Sequence, residues 1–525
     1  MQLQTNTLPE CPSSLTDRIY YKERSDLTPD VRTKIAIIAK WGKNHGRIMR
    51  LSERFGISRT TVYALRDQLS QSVESTFYQA KTWQADIGAL RESAIRQILL
   101  LRLTGHCCIM AISTILKYNG HSRDSTGFIS ETLHAIGDKL PQVIDYQGTV
   151  NWACDEIYHL GKVPILVSVE PLSGAVLQIN IVRGSLKDGW NSHWQALREK
   201  GIESLSLISD EGWMLRAARL EQTEQQGDWD FQPDTFHAVS HRLGVFQKRL
   251  EKAAYQAIES EYERETLCLH TKQPNKLPVF NRQWADCQTQ THKAISDYEH
   301  FSFLYGCLLQ QFNIFDRNGQ PRKRRFAEQE ASCAIELMQL LDISGLDKEL
   351  KLIEKLIPTL FNFLDKAQDC CQKMIENQLV EAHLLPFWAL AWQYDKRSFK
   401  VKNNYAYQKK LRERSKNWIQ EIQKDTNLTN EAFNGLQATV FASFDGIVQS
   451  SAAVEMFNAI LRPFLNQARD QISQQTLNLI MDFYNHKTFT RGKRKGKSPI
   501  EILTGKKQDK DWIDKIMDLV RLHNI

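Results

Sequence analysis

Val150-Asn-Trp-Ala-Cys-Asp-Glu-Ile-Tyr158 is an apolar, β-prone run interrupted by two adjacent acids, and its surroundings decide how it is read. A turn-like segment at 159–162 follows. Further β-prone runs come at 163–169 and 176–182, separated by turn residues at 171–174. An amphipathic helix is predicted over about 190–200, then the strand Ser204-Leu-Ser-Leu-Ile-Ser-Asp210, then a helix from 213 to about 224. Three strands, helix, strand, helix is an α/β unit. It places Asp155 in mid-sheet and Asp210 at a strand's C-terminal end, where ligands of open α/β sheets gather.

Downstream, from about 243 to 439, strand patterns stop. Leu346, Leu350, Ile353, Ile357 and Leu360, with Leu337 and Leu341 upstream, recur at steps of four and three, so this segment is predicted as packed helices, with Pro358 kinking or ending one. The chain then returns with Ser451-Ala-Ala-Val-Glu-Met-Phe-Asn-Ala-Ile-Leu-Arg462, a helix-like stretch carrying Glu455. The helical segment therefore reads as an insertion that interrupts the α/β core.

Upstream of the core the chain reads as helical. Thr28 caps and Pro29 opens a first helix with apolar Ile35, Ile37, Ile38 and Trp41, which Gly46 is expected to end. Ile48-Met-Arg-Leu-Ser-Glu-Arg-Phe55, a turn at Gly56-Ile57, and Ser58-Arg-Thr-Thr-Val-Tyr-Ala-Leu-Arg66 form a helix-turn-helix pattern with Ile57 buried and Ser58 capping. Arg59, Thr60, Tyr63 and Arg66 would then face a DNA major groove. A second helical segment runs from about 91 to 140, broken at Asn119-Gly120 and 124–127. The expected division is 1–90, 91–145, 146–242, 243–440, 441–486 and a basic tail at 487–525.

At 525 residues the chain is too long for one core. Net charge of +7 is mildly basic, but its distribution is not even. Lys487, Arg491, Lys493, Arg494, Lys495 and Lys497 fall in one acid-free stretch, and Arg322-Lys-Arg-Arg325 forms a second cluster. The ten cysteines show no CxxC and no Cys/His ligand spacing, which argues against structural zinc and for reduced thiols. No apolar stretch approaches bilayer length and the first residues do not resemble a secretory signal, so a cytoplasmic protein is expected, nucleoid-associated if the source is prokaryotic.

Carboxylates gathered from two strands and a helix can hold two divalent cations at phosphorus. Asp155, Asp210 and Glu455 are the candidates. Glu156 and Glu211 are adjacent to the two aspartates, and because neighbouring strand side chains point to opposite faces, only one of each pair should reach the metals.

On these residues the chain resembles the DDE transposases, RNase H-like enzymes that include retroviral integrases. More narrowly it is similar to the branch related to Mutator and hAT elements, on Phe231-Gln-Pro-Asp-Thr-Phe-His237, which supplies a Cys/Asp-x-x-His signature as Asp234 and His237, and on the helical insertion that follows. The small-residue lead-in to Glu455, with Asn458 three and Arg462 seven residues on, also matches, and those spacings share one helix face. Asp482-Phe-Tyr-Asn-His486 and Lys497-Ser-Pro-Ile-Glu-Ile-Leu503 resemble the family's tail. Ser451 occupies the place of the Arg in a Tyr-x-x-Arg-x-x-x-Glu motif, which disfavours the bacterial branch carrying that signature.

The resemblance implies an RNase H-like α/β core with an N-terminal all-α helix-turn-helix region and a large all-α insertion. It also implies two Mg²⁺, with Mn²⁺ able to substitute, on Asp155, Asp210 and Glu455, and supporting roles for Asp234, His237, Asn458 and Arg462. Double-stranded DNA is the expected partner, held by Arg242, Lys248, Arg249 and the basic tail and stacked upon by Trp388, Trp392 or Trp418, within a homodimer or larger synaptic assembly. Two other readings stay open: a non-catalytic DNA-binding regulator or decayed transposase, and a metal-dependent nuclease that cuts without joining.

Overall fold

The structure is a computed structural model that describes residues 26–42, 45–77, 80–159, 163–210, 212–226, 229–426, 428–468, 472–492 and 494–525. Thr28 caps α1 (Pro29–Trp41) by accepting a hydrogen bond from the Val31 amide at 3.4 Å. α1 ends at Gly42, not at the expected Gly46. Gly46 instead opens α2 (Arg47–Phe55) with φ 71°, a backbone conformation that glycine adopts without a Cβ penalty. Gly56 (φ 57°) closes α2 and turns the chain into α3 (Arg59–Phe77), which Ser58 caps by accepting from the Thr61 amide at 3.0 Å. Val31, Ile35, Ala39, Leu51, Phe55, Ile57, Val62 and Leu65 make one small core among these helices, whereas Trp41 is exposed.

Where six segments are expected, the chain gathers into two compact units, one of residues 1–97 and 116–123, the other of 98–115 and 124–525. α4 (Ala80–Leu99) is followed by a π-helical turn over Leu100–Thr104, α5 (Ile109–Tyr118) and α6 (Thr126–Lys139).

One five-stranded mixed sheet lies in the larger unit. β1 (Gly148–His159), β2 (Val163–Val169) and β3 (Val176–Ile181) form an antiparallel meander. α7 (Leu186–Glu199) carries the chain back to β4 (Ile202–Ser209), parallel to β1 on its other side, and α8 (Trp213–Gln226) leads to β5 (Phe231–Pro233), parallel to β4. The strand order is β3-β2-β1-β4-β5. The three-residue β5 has too few side chains to show alternation, which is why no strand was predicted there. Trp190, Trp194 and Leu197 of α7 pack with Trp152, Cys154, Leu166 and Leu207 on one face of the sheet.

The chain then becomes helical, as expected. A π-helical turn over Phe236–His241 runs into α9 (Arg242–His270), and a short 3-10 turn, Pro274–Lys276, precedes α10 (Leu277–Gln311). α11 (Arg324–Gln339), α12 (Leu346–Leu360), α13 (Asn362–Glu376), α14 (Leu385–Lys400), α15 (Tyr405–Asp425) and α16 (Asn430–Asp445) follow. Leu346, Leu350, Ile353, Ile357 and Leu360 are all buried along one side of α12, with Pro358 in its last turn; Leu337 is exposed. The expected boundary at 440 falls inside α16, which continues to Asp445.

α17 (Ala452–Ala468) carries Glu455 and packs on β1 and β2, across the sheet from α7. α18 (Gln474–His486) packs on β3 and α6, and α19 (Pro499–Thr504), opened by a Ser498/Glu501 capping box, and α20 (Trp512–His523) end the chain. Asn485 docks α18 onto the strand: its Oδ1 accepts from the Val176 amide at 2.8 Å and its Nδ2 donates to the Val176 carbonyl at 2.8 Å. Both groups are buried, so Asn485→Ala leaves a donor and an acceptor without partners. It is expected to lower unfolding free energy by about 2–4 kcal/mol, read from urea denaturation; a parental midpoint would refute this account of the docking.

Candidate active site

Alternation along β1 sends Trp152, Cys154 and Glu156 toward α7 and Asp155 toward α17. Glu156 Oε1 accepts from Trp190 Nε1 at 2.7 Å and its Oε2 from the Tyr158 hydroxyl at 3.1 Å. Asp155 Oδ2 accepts from Asn458 Nδ2 on α17 at 2.8 Å, and its Oδ1 from the Glu156 amide at 2.8 Å. Asp155 is therefore the member of the pair that shares a face with the Glu455 helix. Glu211 lies outside the described residues.

The parallel pairing of β1 with β4 fixes the second acid. Its last partners are Ala153 and Ile208; continued two residues farther, the register sets Asp155, within β1, against Asp210, just past the end of β4. Asp210 is exposed and accepts from the Gly212 amide at 3.0 Å. Asp155 is pushed up to about 7, first by burial, then by Asp210, with Glu455 adding to it; the Glu156 amide and His237 oppose the rise. Burial and Asp210 also raise Glu156, although Trp190 and Tyr158 pull the other way. Asp210 and Glu455 thus both lie within electrostatic reach of Asp155.

Glu455 is held from a different direction. Its Oε1 lies 3.5 Å from His237 Nε2, and His237 Nδ1 lies 3.2 Å from Asp234 Oδ2. Asp234 is buried at the end of β5. Its Oδ1 accepts from the Phe236 and His237 amides at 2.7 and 3.1 Å, and its Oδ2 accepts from the Ser451 amide at 2.7 Å and from the Ser451 hydroxyl. Burial raises the Asp234 pKa, but these hydrogen bonds together hold it below the usual carboxylate value. His237 is raised to about 8, chiefly by Asp234. Asp234 therefore joins the end of β5 to the residue just before α17, and so fixes where Glu455 emerges. Ser451, at the place of an expected Arg, makes this tie; a serine ahead of a helix in sequence says only that a cap is possible.

Among the described residues no three His, Cys, Asp or Glu side chains are already gathered as a metal-binding group. Chemically the set suits a hard dication: the donors are carboxylate oxygens, and the mutual repulsion that raises Asp155 is what a bound cation relieves. Asp155 and Asp210 would hold it, with Glu455 joining on leaving His237.

The other expected residues divide. Asn458 is buried against Asp155, while Arg462, one turn on, is exposed. Arg59, Thr60 and Tyr63 are exposed on the first turns of α3; Arg66 pairs with Asp67 at 2.8 Å and stacks over Tyr63. Arg242 is paired with Glu349 at 2.8 Å and Arg249 donates to the Ser344 carbonyl at 2.8 Å, so both are engaged within the helical segment, while Lys248 is exposed. Arg491, Lys495 and Lys497 are exposed, Lys487 lies over Phe483, Arg494 donates to the Pro171 carbonyl at 3.0 Å, and Lys493 lies outside the described residues.

The tryptophans correct an expectation. Trp388 is buried, stacked on Phe433 with Phe441 at its edge, and Trp392 is buried with Nε1 donating to Asp445 at 2.9 Å, so both serve the helical core and not base stacking. Trp418 is half-buried against Phe387. Compared with known protein families, characterised proteins and solved structures, the chain matches none.

Proposed function

We propose that this chain is a DNA transposase that cuts and rejoins DNA through the carboxylates of Asp155, Asp210 and Glu455. The observation that carries the reading is the register of β1 against β4, which sets Asp155 beside Asp210 on the face covered by the Glu455 helix. The strand order β3-β2-β1-β4-β5, an antiparallel meander continued by two parallel strands, is what an RNase H-like core requires and supports that reading of the sheet.

Divalent cations, Mg²⁺ or Mn²⁺, when bound supply activation of water or a 3′-hydroxyl and stabilisation of the leaving oxygen. The chain's own residues do the rest. Asn458 orients Asp155 by its hydrogen bond, and Asp234 with Ser451 fixes the start of α17. Arg59, Thr60 and Tyr63 present an exposed reading face for terminal repeats, while Lys248, Arg491, Lys495 and Lys497 offer phosphates a sequence-blind grip. Bringing two DNA ends together implies a homodimer or larger assembly. No described helix is long and apolar enough to cross a membrane.

A strand-transfer assay with Mg²⁺ and DNA carrying the element's ends tests the proposal. Joined product supports it; nicks without joining point to a nuclease, and bound but intact DNA to a binding protein. Arg59→Ala is expected to weaken binding to end DNA by about tenfold while leaving random DNA within about twofold, measured by anisotropy. Equal losses on both would remove the sequence-reading role of α3.

A further inference from the structure

The helical segment carries a cationic cavity that the residues discussed so far do not use. It has a volume of about 360 Å³ and lies where the basic end of α14 meets the 445–450 segment and the first residues of α17, Ala452 and Ala453. Lys396, Arg397 and Lys400 all line it. Lys396 is neutralised by Asp445 at 2.9 Å, but among the described residues neither Arg397 nor Lys400 makes an ion pair. Lys400 is exposed as a residue, yet partial desolvation of its charge, followed by Lys396 and Arg397, lowers its pKa. Among the described residues, Asp445 is the one carboxylate lining this cavity beside the three cations.

A smaller cavity of about 210 Å³ adjoins it, sharing Arg397 and Asn313 and lined also by Arg317, Arg322 and the Asp316 carboxylate. Arg322 Nε is buried there without a hydrogen-bond partner. Arg322 belongs to the basic cluster noted in the sequence; its neighbour Arg324 is consumed by Glu328 and Asp365 at 2.7 Å each. At about 30 Å³ per water the larger cavity has room for roughly ten waters, which is ample for a phosphodiester and its hydration.

We propose that this cavity, with Arg397 and Lys400 as its free cations, is a phosphate-binding site for the DNA backbone beside the reacting position. The proposal rests on the function proposed above for its choice of DNA as the anion. Glu455 stands two residues beyond Ala453, so a phosphate seated here lies next to the first turn of the helix that carries the catalytic carboxylate. Asp234 already takes the Ser451 amide and hydroxyl at this helix start, so the attraction for a phosphate comes from the two cations and not from the helix end. Arg397 and Lys400 are both exposed at the cavity mouth, so a strand can reach them.

The experiment compares the full-length parent with Arg397→Gln/Lys400→Gln in metal-free buffer, using a fluorescent duplex oligonucleotide from about 50 to about 200 mM salt. A roughly tenfold loss of affinity is expected, with the slope of log affinity against log salt falling by about two. Lys400→Gln alone, at an exposed position, serves if the double variant does not fold, with a slope change of about one. In parallel, inorganic tripolyphosphate is titrated by calorimetry, and saturable binding to the parent that the variant loses is expected. If the parent binds DNA and the variant matches it in affinity and slope, the site is refuted and the function proposed above stands. If the parent binds no DNA, that function falls. The tripolyphosphate result then decides the site alone: binding lost in the variant keeps an anion site, and no binding to the parent removes it.

Discussion

Asp155→Asn is expected to abolish DNA cleavage and joining, by on the order of 10³-fold or more, and yet to melt higher than the parent at pH 8. The two effects have one cause. Asp155 is half-buried, and the desolvation of its carboxyl, with the charges of Asp210 and Glu455, raises it from an ordinary value of 3.8 to about 7. A carboxyl raised in the folded state binds its proton more tightly there than in the unfolded chain. Its contribution to stability is complete below about pH 4 and is lost as pH rises through about 7. Asparagine carries no charge, so the variant escapes that loss. Its advantage in melting temperature should be greatest at pH 8 and vanish near pH 4. Mg²⁺ should raise the melting point of the parent at pH 8 more than that of the variant, because the cation relieves the same repulsion. Parental cleavage by Asp155→Asn would end the active-site assignment, and a melting difference independent of pH would show that the carboxylates do not interact as described.

Asp234→Ala should give the largest loss of stability, about 3–5 kcal/mol, measured by denaturant unfolding. The substitution strips the acceptor from four donors at once: the amides of Phe236, His237 and Ser451 and the Ser451 hydroxyl. It also leaves His237 with Asp210 and Glu455 in place of its main partner. His237 is raised from 6.5 to about 8, so its contribution is full below about pH 6.5 and lost as pH rises through about 8. That dependence should flatten in Asp234→Ala because Asp234 is its main source. Ser451→Ala, which removes one of the four donors and leaves the backbone amide bonded, should cost about 1–2 kcal/mol. An Asp234→Ala protein with the parental midpoint would mean that Asp234 does not tie β5 to α17.

Asp234 also shows where sequence stops being informative. The Asp-x-x-His spacing drew attention to Asp234 and His237 but could not say what they touch, because their partners are 217 residues away in the case of Ser451. Asn458 was placed with Glu455 and Arg462 on one helix face by spacing alone. In the fold Asn458 reaches Asp155, while Arg462, one turn farther along α17, is exposed. The tryptophans of the helical segment carry no periodic mark that separates core from surface, and their burial was decided by Phe433, Phe441 and Phe444 arriving from α16. Lys396, Arg397 and Lys400 look in sequence like the basic end of any helix; only the approach of the 445–450 segment makes them a cavity wall.

Local chemistry was enough for the elements themselves: β-prone runs bounded by turn residues gave β1 to β4, four-and-three spacing gave α12, and Thr28, Gly56 and Ser58 marked the helix ends near the N-terminus. Those signals are short in range, set by backbone sterics and by which side of an element meets water. Tertiary structure alone decided which of two neighbouring acids faces the Glu455 helix, which arginines are spent on internal partners, and how a serine before α17 comes to hold a buried aspartate. Each depends on contacts between residues far apart in the chain, and the free energy of such a contact is carried by geometry that no window of sequence contains.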